Sequence, residues 1–186
     1  MSGRRIAKKS LHADDRAVTD EATAACQRAI GFLELGMPVD ALAELDELRG
    51  NDAESSLTLH LRVDALFRLQ EWSAAAESCL PMLEKEPADP AWWIQAAYAQ
   101  RRAGSIDEAE LILRSALQGH PKHALILYNL ACYSCVQGNR EEARTLLDQS
   151  FAEDPEAMLV MATGDPDLAG IRPWILEQLK KRSASR

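Results

Sequence analysis

The sequence predicts an all-α fold, a right-handed α-solenoid of stacked antiparallel helix pairs. Three observations carry that expectation. Alanines recur 34 residues apart, without a gap, at Ala41, Ala75, Ala109 and Ala143. Fixed companions travel with them: a small residue twelve positions upstream (Ala29, Val63, Ala97, Ala131), a glycine five upstream in three units (Gly36, Gly104, Gly138) and a proline twelve downstream in the last three (Pro87, Pro121, Pro155). No stretch alternates with the period of two that a half-buried strand requires, so no sheet is expected. A period of this length marks supersecondary units that bury their apolar faces only against one another.

The elements follow in order. Residues 1–14 read as a basic, flexible tail, residues 15–155 as four units (about 22–55, 56–89, 90–123 and 124–157), residues 156–181 as capping helices and 182–186 as a second tail. The first helices of the units are expected over Asp15–Leu35, Ser56–Gln70, Ala91–Ala103 and Ala124–Gln137, the second over Val39–Leu48, Trp72–Glu84, Ile106–Gln118 and Arg140–Ala152. Ser105 and Asn139 each stand three residues before a glutamate, as a capping box needs, and Asp89-Pro90 places a cap before a proline at the first helical position. Small residues in register let paired backbones approach: Ala109 is expected to face Ala97, with Trp93, Leu113 and Leu117 filling the space around them. Beyond the last unit, Glu156–Ala162 and Pro173–Lys181 read as short helices, with Ile171, Trp174, Ile175 and Leu179 on a buried side.

Composition bounds the function. The chain has 186 residues, 47% of them hydrophobic, enough for one domain with a real core and too apolar for wholesale disorder. Its net charge of −8 is unevenly spread: residues 1–16 and 177–186 carry +3 each, leaving −14 on the body between. An acidic body repels a phosphate backbone, so nucleic-acid binding would fall to the short basic ends and ranks last among the readings. There is neither an apolar run long enough to span a bilayer nor an apolar segment behind the basic start, and four irregularly spaced cysteines are no disulfide framework. A cytoplasmic, reducing setting is expected.

The in-register pattern resembles the tetratricopeptide repeat family. The third unit carries it as Pro90-Ala91-Trp92-Trp93-Ile94-Gln95-Ala96-Ala97, then Gly104-Ser105-Ile106-Asp107-Glu108-Ala109 and Pro121; the fourth as Leu127-Tyr128-Asn129-Leu130-Ala131-Cys132-Tyr133, then Gly138-Asn139-Arg140-Glu141-Glu142-Ala143 and Pro155. The second unit has Gln70 where the turn glycine belongs, and the first has Ala53 in place of the proline. The segment Ala162–Leu168 resembles the closing segment that follows some bacterial arrays of this type.

No catalytic set, metal site or cofactor is expected. Cys132-Tyr133-Ser134-Cys135 is a lone pair inside a helix, without the second pair that zinc requires or the strand-to-helix context of a redox motif. His120-Pro121-Lys122-His123 reads as a turn, and Asp165-Pro166-Asp167 lacks the later ligands of a calcium loop. Trp72, Trp93 and Trp174 occupy apolar helical positions and are expected in the core, whereas Trp92 would line a repeat junction or be partly exposed.

The resemblance implies that a protein or peptide ligand lies along the concave side, against the first helix of each unit. Read onto this sequence, the groove residues are His60, Asp64, Phe67, Arg68, Tyr98, Arg101, Arg102, Tyr128 and Asn129. The cations of the family's carboxylate clamp are missing in either frame: Cys26, Ile30, Leu61, Ala91 and Gln95, or His60, Asp64, Gln95, Leu125 and Asn129, stand in their places. What remains is an aromatic and basic centre in an acidic body, suited to a segment with apolar and acidic side chains. A non-catalytic adaptor or scaffold is the first reading. A small acidic chaperone holding a client segment, as in bacterial secretion systems, is the second.

Overall fold

The computed structural model describes residues 19–184; the basic N-terminal tail and the first residues expected of the first helix lie outside them. Helix α1 (Asp20–Glu34) pairs with α2 (Pro38–Asp46); α4 (Ser56–Leu69) with α5 (Trp72–Lys85); α6 (Pro90–Ala103) with α7 (Ile106–Gly119); and α8 (Ala124–Val136) with α9 (Arg140–Glu153). A short α3 (Gly50–Ala53), absent from the sequence expectation, leads into α4, and α10 (Pro155–Gly164) and α11 (Arg172–Ala184) close the stack. Between them runs a 3-10 segment, Pro166–Ile171, which we call the strap. The described residues contain no strand.

The periodic alanines explain the stacking. Ala41, Ala75, Ala109 and Ala143 are completely buried, and so are Ala29, Ala97 and Ala131, with Val63 at 1%. A methyl or isopropyl group at those columns lets paired helices close up, and the larger side chains interlock around them. Ala97 and Ala109 share a cluster with Leu113, flanked by half-buried Trp93 and Leu117.

Local chemistry sets the helix ends. Thr19, Ser55, Asp89 and Ser105 each accept a bond from a backbone N–H of the following first turn, and Pro90 stands at the start of α6. Asn139 departs from expectation: it makes no side-chain cap, and Glu142, its intended capping-box partner, is instead held by Arg114 and by the Ser134 hydroxyl. Gly36, Gly104 and Gly138 turn the chain through the left-handed region, and Gln70 does the same at φ 60° without being glycine. Its N–H closes the helix end on the Leu66 and Phe67 carbonyls.

Trp92 lines a junction between helix pairs, one of the two places expected of it, whereas the other three tryptophans are less buried than expected. Trp92 is fully buried between α4 and α6, among Leu59, Val63, Cys79 and Met82, whereas Trp72, Trp93 and Trp174 are only half-buried. The face of α6 that meets the preceding pair is enclosed on both sides. Trp93, one residue on, lies at the edge of its own pair, where its indole N–H donates to the Pro87 carbonyl at 3.0 Å. In the closing segment Ile171 and Ile175 are buried as expected, but Leu179 is 38% exposed. Helix α11 also continues to Ala184, so residues 182–184 are helical rather than a loose tail.

Candidate functional site

The nine expected groove residues lie on α4, α6 and α8 and fall into three groups. At the centre, Phe67, Trp72 and Tyr98 form a three-way aromatic cluster, with ring centroids 5.5–5.9 Å apart in tilted or edge-on arrangements. The Arg102 guanidinium lies over the Trp72 ring at 5.1 Å. Tyr98 is 44% exposed and Arg102 is exposed. This cluster joins α4, α5 and α6, and Trp72, which the sequence reading assigned to the core, is its third member.

Flanking it are charges in different states. Arg68 donates twice to Asp64, at 3.0 and 3.1 Å, and once to the Leu33 carbonyl at 2.7 Å, tying α4 to α1. That bidentate pairing raises the Arg68 pKa and uses up much of its donor capacity. Arg101 is half-buried; among the described residues it has one long ion pair, 3.9 Å to Asp167 of the strap, and its Nε has no hydrogen-bond partner. His60 is not free either: its ring is tilted over Trp92 at 3.9 Å, and its Nδ1 lies 2.9 Å from the Ser56 carbonyl.

The third group lies on α8 and departs from expectation. Tyr128 is 2% exposed, and its hydroxyl donates to Asp165 at 2.8 Å; Asn129 beside it is half-buried. The strap covers this stretch of the inner face. Leu168 is wholly buried, Ile171 nearly so, and Cys132 donates weakly to the same Asp165 carboxylate at 3.5 Å. Arg172 clasps the strap through the carbonyls of Thr163 and Asp165. Tyr128 therefore meets the protein's own chain and offers no surface to a partner.

Burial accounts for the cysteines. Cys26, Cys79, Cys132 and Cys135 are all buried and free. Desolvation pushes the Cys79 thiol up to about 12, and desolvation with the nearby Asp165 carboxylate raises Cys132 further. Thiols held protonated in this way are poor nucleophiles and poor metal ligands. Among the described residues, no three His, Cys, Asp or Glu side chains converge where a metal could sit, and no helix is long and apolar enough to cross a membrane.

Comparison with known proteins agrees with this architecture. Residues 100–163 match the family model described as tetratricopeptide repeat. A search of curated protein sequences finds no significant match. Among solved structures, MamA residues 41 to the end from Desulfovibrio magneticus RS-1 superpose with a TM-score of 0.69 at 17% identity, covering 91% of this chain and 99% of that one. YrrB, described as a TPR protein with an unusual peptide-binding site, gives 0.63 at 21% identity, covering 75% of this chain and 72% of that one.

Proposed function

We propose that the chain is a tetratricopeptide repeat protein that acts without chemistry of its own, as an adaptor or scaffold holding a segment of another polypeptide in an inner groove. In this reading the four helix pairs are four repeats, the binding stretch lies over α4 and α6, and the protein works in the cytoplasm of a bacterium. The observation that carries it is the cluster of Phe67, Trp72 and Tyr98 with Arg102 laid over it, left partly open inside an otherwise acidic body. Rigid aromatics and arginine give large contact area at low entropic cost, which is why they dominate interaction hot spots. The peptide site named for YrrB is consistent with a fold of this kind presenting such a surface.

A photo-crosslinking amino acid at position 98 tests the reading, with the same group at Leu111 on the outer helix α7, 65% exposed, as reference. Irradiation in lysate of the source cell should trap a discrete polypeptide from position 98 and not from 111. Equal trapping at both sites, or none at 98, would reject the groove.

A further inference from the structure

The strap is a polypeptide segment already bound to the inner face, and it shows what that face accepts. Its sequence from 165 to 168 is Asp-Pro-Asp-Leu. Asp165 caps its own turn by accepting from the Asp167 N–H at 2.9 Å, and its other oxygen accepts from Tyr128 on α8. Leu168 sinks completely into the core, and Asp167 reaches back toward Arg101 on α6. Gly170 sits so close to α8 that a Cβ there would lie 3.3 Å from the Cys135 sulfur.

Because the fold repeats every 34 residues, each contact column on α8 has a counterpart one unit earlier on α6. Tyr128 corresponds to Ile94, Cys132 to Tyr98, Cys135 to Arg101 and Val136 to Arg102. The α8 columns are buried beneath the strap as far as Cys135; on α6, Tyr98 and Arg102 are exposed and the Arg101 Nε lacks a hydrogen-bond partner among the described residues. A phenolic hydroxyl and two guanidiniums thus replace two thiols and an isopropyl group. The α6 seat lacks the Tyr128 hydroxyl, Ile94 standing in its place, but gains a phenol and two guanidiniums as donors to carboxylates. The aromatic cluster beside it supplies the apolar wall.

We propose that the open stretch of the groove over α4 and α6 takes a segment built like the strap: a short capped turn in which two carboxylates precede a leucine-type anchor. This rests on the groove reading above and specifies the partner's chemistry. The arriving turn lies in line with the strap and shares Arg101 with Asp167.

The test uses a fluorescein-labelled peptide of sequence Gly-Asp-Pro-Asp-Leu-Ala-Gly-Ile and its partner with lysine in place of both aspartates, titrated against the full chain by anisotropy at low salt. The acidic peptide should bind saturably, and the lysine peptide at least about tenfold more weakly. R102E should weaken the acidic peptide by a similar factor, whereas charge reversal on the outer face at Arg144 should not. Equal binding of both peptides, absence of binding by either, or indifference to R102E would overturn the proposal. So would loss of binding in Tyr128→Phe but not in R102E, because the peptide would then be displacing the strap from its own seat. If position 98 traps a polypeptide in lysate while the acidic peptide shows no preference, the groove stands and only its proposed chemistry falls.

Discussion

The strap-facing columns of α8 and the matching columns of α6, 34 residues earlier in the sequence, have opposite fates. On α8 the residues at these columns are Tyr128, Cys132 and Cys135, small or apolar enough to be roofed by a single turn of chain; on α6 they are Ile94, Tyr98 and Arg101, and no segment of the described chain roofs them in the same way. A solenoid must hide the apolar face of its last unit from water. Here that task falls to α10 and the strap, which pack on α8 and α9, backed by α11. The cap and the proposed binding stretch thus occupy neighbouring positions of one repeating helix series.

This division can be broken from the capping side first. Leu168 is fully buried where the strap meets α8. Leu168→Ala should cost about 3 kcal/mol, a loss of apolar transfer with a cavity added. Chemical denaturation followed by circular dichroism would show it as an earlier transition, with hydrogen exchange rising in α8, α9 and α11 before α1 and α2. Uniform loosening of the whole chain would mean that the cap is not a local device.

Next in size is Asp165→Ala. It removes the acceptor of the buried Tyr128 hydroxyl and the cap of the strap, a loss of about 2 kcal/mol. Tyr128→Phe in the same chain should recover part of that, since it removes the donor left without a partner. Strict additivity of the two substitutions would contradict the bond.

Gln70→Gly acts in the open half with the opposite sign. A non-glycine residue at φ 60° bears roughly 1 kcal/mol of backbone strain, so the glycine variant should unfold at a higher denaturant concentration. A lower midpoint would mean that the Gln70 side chain contributes more than its backbone costs.

The smallest expected effect is electrostatic. Burial, with His120 nearby, holds the His123 pKa below its ordinary 6.5, and its buried Nδ1 has no partner among the described residues. The unfolded chain therefore binds more protons than the folded one as pH falls through the ordinary histidine range, and stability declines there. His123→Gln should flatten that part of the profile in denaturation midpoints taken from pH 7.5 down to 5. An unchanged slope would assign the decline to other groups.

Much of the scaffold was legible in the sequence, because the periodic alanines, turn glycines and Asp89-Pro90 act through local sterics and backbone bonding. Gln70 shows the limit of such rules: the turn forms without its glycine, closed by the Gln70 and Glu71 N–H groups donating to the Leu66 carbonyl. The site was legible only in part. Phe67, Tyr98 and Arg102 gather around Trp72, but nothing local separates Trp92 from Trp93, whose burial is decided by which face of α6 meets the preceding pair. Nor could the Asp165-Pro166-Asp167 turn disclose its seat on Tyr128, a contact 37 residues away in sequence. Removing Tyr128 from the accessible groove required the tertiary fold.

Hydrogen exchange of the full chain with and without the polypeptide trapped at position 98 tests the central claim most directly. The account predicts new protection on the inner helices α4 and α6, with α8 and the strap unchanged because they are already covered. Protection confined to the outer helices α5 and α7, or gained by α8 as the strap is released, would contradict it.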